Sequence, residues 1–82
     1  ARGVCGAAAR TGQTQIVPDV ELFEGHIACA SSTRSELVLP VWNGSGTLLG
    51  VLDLDSNTEA AFTQADADAL TAIMARLFKD AA

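Results

Sequence analysis

Two thiols and three carboxylates are the side chains of this sequence best equipped to make and break bonds. Cys5 lies in Gly3-Val4-Cys5-Gly6, and Cys29 closes Gly25-His26-Ile27-Ala28-Cys29, three residues after the single histidine. The thiolate is the nucleophile and redox-active form of cysteine, and a neighbouring imidazolium or a helix N-terminus favours it. The Cys5 motif reads as a helix N-terminus, where backbone N–H groups and the dipole lower a thiol pKa; taken alone, Cys5 reads rather as a small buried hydrophobe. Cys29 falls in a polar stretch where a packing role fits poorly. Cys5, His26, Cys29 and a carboxylate could form a zinc set. However, His-x-x-Cys with one distant cysteine lacks the paired spacing of structural zinc sites, and no metal is expected.

The carboxylates are Glu36, Asp53 and Asp55, placed on either side of Asn43-Gly44-Ser45-Gly46, a strong hairpin signal. A four-residue loop sets Trp42 against Thr47 and Glu36 directly across from Asp53. Asp55, two residues further, points to the same side. A one-residue slip would send Glu36 to the opposite face. Like charges crowded on one face destabilise a ribbon, so a set of three suits a bound cation, a metal or a shared proton. Crowding also raises at least one carboxyl pKa toward the range of a general acid at neutrality. Solvated strand ends are the plain alternative.

The elements that must position these groups can be read in outline. A short helix around Val4 to Ala9 stops at Gly12, a residue suited to a left-handed helix end. Gln13 to Val17 is strand-like and ends at Pro18. From Pro18 to Arg34 no period is visible, and a loop of that length tends to be functional. Ser35 to Trp42 and Thr47 to Asp55 are the hairpin strands, with Pro40 pushing the first toward a sheet edge or a bulge. Thr63 with Asp66 resembles a capping box. Leu70, Ile73, Met74, Leu77 and Phe78 then recur as one apolar helical stripe.

Composition removes several function classes. The net charge is −5, and the five basic residues are scattered, without the clustered Lys and Arg that nucleic acid or an anionic membrane requires. Apolar runs fall far short of the ~20 residues of a membrane span. Two cysteines are too few for a small secreted disulfide scaffold, and a reducing, cytoplasmic setting is expected. The opening Ala1-Arg2-Gly3 carries no initiator Met and reads as the interior of a domain. A hairpin, one covering helix and a long loop make about half of an α+β domain, because so few strands rarely stand alone.

Gly3-Val4-Cys5-Gly6, Val17-Pro18-Asp19-Val20, Gly25-His26-Ile27-Ala28-Cys29, Ser35-Glu36-Leu37-Val38-Leu39-Pro40 and Gly50-Val51-Leu52-Asp53-Leu54-Asp55-Ser56 together resemble the free methionine-(R)-sulfoxide reductases, which are built on a GAF domain. The resemblance runs from Gly3 into the C-terminal helix. It implies a GAF-like antiparallel sheet flanked by helices, with residues 1–82 forming the C-terminal part of a single GAF domain. It also implies thiol chemistry on the free amino acid: a thiolate attacks the sulfoxide sulfur, a carboxylic acid protonates the departing oxygen, and a sulfenic acid then condenses into a disulfide. Thioredoxin, supplied by NADPH, reopens that disulfide, and no bound cofactor is needed.

Carried onto this sequence, Cys29 is the nucleophile, with Cys5 competing for that part or resolving. Glu36 protonates the sulfoxide oxygen, and Asp53 and Asp55 hold the substrate ammonium. Two departures stand out. Ala30 occupies a position where the family usually has Asp. The family's further cysteine and aromatic cage would lie before Ala1, so the piece alone is expected to be inactive. A homodimer is compatible with the resemblance. The alternatives are a non-catalytic GAF-type ligand sensor and a thiol redox-sensing module.

Overall fold

The computed structural model describes residues 2–20 and 33–82. Its elements are α1 (Arg2–Thr11), β1 (Gln15–Val17), β2 (Ser35–Trp42), β3 (Leu48–Ser56) and α2 (Gln64–Phe78). The strands form one antiparallel sheet in the order β1-β2-β3, with a helix on each face. This agrees with the α+β expectation.

Alternation along β2 divides the core in two. Leu37, Leu39 and Val41 point to one face and are buried with Ala67 of α2, joined by Ile16, Leu52, Leu54, Phe62, Leu70 and Met74. Val38 points to the other face and is buried with Val4 and Ala8 of α1, Val17 and Val20. Because both faces are covered, seven of its eight residues, Ser35 through Val41, are buried. β2 therefore reads as a nearly continuous apolar run rather than an alternating one.

The helix ends follow their local chemistry. Gly12 continues past α1 at φ +69°, a left-handed conformation that glycine adopts without Cβ strain, and its N–H donates to Ala8 O at 2.9 Å. Thr63 caps α2: its hydroxyl accepts from Asp66 N at 3.2 Å while the Asp66 carboxylate accepts from Thr63 N at 2.9 Å. This is the expected capping box with Asp in the third position. The apolar stripe of α2 is buried on one flank only. Leu70 and Met74 pack on the sheet, whereas Ile73, Leu77 and Phe78 remain exposed. No helix among the described residues is long and apolar enough to cross a membrane.

Pro40 does not lie on an edge strand, contrary to the sequence expectation, because β2 is central. The reason is the shortness of β1, which pairs only with positions 36–38, so among the described residues that side of β2 carries no ladder at Pro40. A bulge does occur nearby, between Val41 and Trp42.

Candidate active site

The hairpin closes one residue tighter than a four-residue loop. Asn43 N–H donates to Thr47 O at 3.0 Å, and the Asn43 side-chain oxygen accepts from Ser45 N and Thr47 N at 3.0 and 2.9 Å. Asn43 thus folds the loop upon itself, and Gly46 turns it at φ +82°. The bulge then passes over Leu49, because Trp42 pairs with Leu48 but Val41 with Gly50. Each irregularity shifts the pairing by one residue in the same direction. Glu36 therefore faces Asp55, and Asp53 faces Val38. This corrects the expected Glu36–Asp53 pairing. Two residues are one full strand period, so the shift leaves every side chain on its predicted face.

The three acids do converge. Carboxylate oxygens of Glu36, Asp53 and Asp55 lie within 4.8 Å of one another on the face covered by α1. Glu36 is 1% exposed, on the central strand opposite Val17, and its Oε2 has no hydrogen-bond partner among the described residues. Asp53 and Asp55 sit on β3 with their residues open to solvent. No Lys or Arg among the described residues pairs with them; the described ion pairs join Arg34 to Asp19 and Glu59.

This crowding sets the proton affinities. Burial first, then the charges of Asp55 and Asp53, lift the Glu36 carboxyl from its ordinary 4.5 to about 7. Desolvation and the Asp55 charge also raise Asp53, against a hydrogen bond from Cys5 that lowers it. Glu36 is thus half-protonated near neutrality, in the state that can donate or accept a proton there.

Cys5 belongs to the same site. It lies in the first half of α1, packs against the α1-side core and sends its thiol toward Asp53. Its pKa is raised, by burial first and then by the negative Asp53 and Glu36, the reverse of the lowering expected from a helix N-terminus. A helix end offers only partial positive charge, and burial together with two nearby carboxylates outweighs it. Cys29 and His26 lie outside the described residues.

Sequence reasoning missed the brace at this end of the sheet. Arg34 reaches both Asp19 and Glu59, and its carbonyl accepts from Val20 N at 2.8 Å. The buried Ser35 hydroxyl donates to Thr58 O and accepts from Ala61 N. Together they hold residues 18–20 and 56–61 against the strand that carries Glu36. Nothing in the local pattern signals these pairings, which join residues up to 26 positions apart.

The sequence profile of the GAF domain matches residues 1–77. Proteins named free methionine-R-sulfoxide reductase from Saccharomyces cerevisiae and Escherichia coli are 48% and 44% identical to the chain, covering 84% and 95% of it. The chain covers 38% and 47% of those two proteins, and so spans less than half their length. The X-ray structure of free methionine-R-sulfoxide reductase from Neisseria meningitidis in complex with its substrate superimposes with a TM-score of 0.80 at 45% identity, over 89% of this chain and 43% of that one.

Proposed function

Because the chain belongs to the GAF domain family, we propose that the protein uses this acid cluster to reduce free methionine-(R)-sulfoxide at a cysteine thiol. The observation that carries the reading is the buried Glu36 carboxyl, unpartnered at Oε2 and clustered with two aspartates. A sulfoxide oxygen needs a proton as it departs, and an α-amino acid brings an ammonium group that needs negative partners. One cluster offers both. The relatives named for this reaction, and the related structure holding its substrate, support the same reading.

In this reading Asp53 and Asp55 receive the substrate ammonium, and Glu36 gives its proton to the sulfoxide oxygen. Cys29 attacks as thiolate: the sulfoxide sulfur is reduced to the thioether, methionine leaves, and the oxygen remains on the cysteine as sulfenic acid. A second thiol then displaces that oxygen as water and closes a disulfide. Cys5 is the described candidate for that later step, since its raised pKa suits it poorly to attack first. Thioredoxin's dithiol returns two electrons and two protons, with NADPH as the ultimate donor and the cytoplasm as the setting.

The test is a thioredoxin-coupled NADPH oxidation assay on the intact protein with free methionine-R-sulfoxide. Turnover should vanish in Cys29→Ser and fall about 10²–10⁴-fold in Glu36→Gln, the usual span of a general acid. Preference for the S epimer or for peptide-bound sulfoxide, or full activity in Cys29→Ser, would overturn it. Ligand binding without turnover would leave a GAF-type sensor.

A further inference from the structure

We propose that the Glu36–Asp53–Asp55 cluster also binds one hard divalent cation of calcium's size, in competition with the ammonium group of the proposed substrate. The competition rests on the reductase reading; the cation site itself does not.

The geometry suits a single ion. Calcium holds oxygen ligands at about 2.3–2.6 Å, so two ligands on opposite sides of it stand about 5 Å apart at most. The three carboxylates each offer an oxygen within 4.8 Å of the others, a spread that one such ion can span with small side-chain adjustments of the two aspartates on the open strand. Magnesium demands near-ideal octahedral geometry at about 2.0–2.1 Å and gives up its waters reluctantly, so a site of three carboxylates on two strands suits it less well than calcium. The donors are oxygen only, which selects hard cations over soft ones.

Glu36 supplies the second observation. Its side chain is buried and shares a hydrogen bond with Asp55, yet its Oε2 has no hydrogen-bond partner among the described residues. A buried carboxylate oxygen without a partner is costly, and a bound cation would satisfy it. Asp53 and Asp55 stand on the solvent-open strand β3, where they can adjust to an ion and leave room for the waters that complete its shell. No Lys or Arg among the described residues pairs with the cluster. Among the described residues an entering ion therefore displaces no Lys or Arg from the cluster.

Calorimetric titration of the chelator-stripped, intact protein with calcium, in the absence of sulfoxide, tests this. One ion should bind with a dissociation constant of about 0.1–1 mM, the range of weak oxygen sites. Asp53→Asn and Asp55→Asn, both at open positions and checked for unchanged circular dichroism, should each weaken binding tenfold or more. Free methionine-R-sulfoxide should raise the apparent constant for calcium. Absence of binding at calcium tenfold above that range, or equal binding by both Asn variants, would overturn the proposal. Turnover without ion binding would refute the cation site and leave the reductase reading standing. Ion binding by a protein inert toward sulfoxide would support the site and remove the reductase reading.

Discussion

Replacing Glu36 by Gln should make the protein more stable at pH 8 while disabling the proposed sulfoxide reduction. Gln keeps the shape of the buried side chain but cannot ionise. In the folded protein the Glu36 carboxyl holds its proton up to about pH 7, whereas in the unfolded chain it releases it near the ordinary 4.5. Between these values the unfolded state binds fewer protons than the folded one, so stability falls as pH rises. The contribution is fully present below pH 4.5, is lost through about 7, and stays lost above. At about 1.4 kcal/mol per pH unit, the displacement from 4.5 to about 7 costs the native state about 3 kcal/mol at pH 8. That is a large fraction of the stability of a small domain.

Urea denaturation of the native and Glu36→Gln proteins across pH 4 to 9, in the presence of a chelator, measures the difference. Titrating groups away from the cluster cancel between the two curves, while Cys5 and the two aspartates, which feel the Glu36 charge, leave a smaller difference. The variant should gain about 3 kcal/mol over the native protein between acid and pH 8, with the gain accumulating between 4.5 and about 7. Parallel curves would refute the reasoning, since they would mean that Glu36 ionises alike in both states. The same substitution should abolish most turnover, so stability and activity move in opposite directions at this position.

Two further outcomes follow from the geometry. In a Cys29→Ser background, iodoacetamide should modify Cys5 more slowly at neutral pH than a free cysteine peptide, and Asp53→Asn should speed it, because the negative Asp53 contributes to the raised thiol pKa. A rate unaffected by Asp53→Asn would remove the electrostatic coupling of the two groups. At the hairpin tip, a Cβ on Gly44 would lie 2.6 Å from the Lys79 carbonyl oxygen, to which the Gly44 N–H donates at 2.8 Å. Gly44→Ala should therefore cost about 1–3 kcal/mol in denaturant unfolding, as overpacking does, and an unchanged midpoint would show that the loop does not dock on the end of α2.

Much of the architecture could be read from local chemistry. Asn43 to Gly46 marked a hairpin, Gly12 a helix end, and Thr63 with Asp66 a capped helix; all three are present. The common face of Glu36, Asp53 and Asp55 was likewise legible, because strand parity depends only on whether a register shift is odd or even. The tightened loop and the bulge shift the register by one each, and their sum is even. Had only one of them occurred, Glu36 would have faced away from both aspartates.

What the chain pattern could not supply are the relations between elements. Helix-end logic predicted a lowered pKa for Cys5. The packing of α1 over the acid-bearing face reversed it, by burying the thiol and then by setting it near Asp53 and Glu36. Likewise Pro40 is tolerated on the central strand only because β1 stops short of it. The sequence by itself determined which face of the ribbon Glu36, Asp53 and Asp55 share. Tertiary structure decided their register, their protonation and the thiol beside them, since all three arise from contacts between residues far apart along the chain.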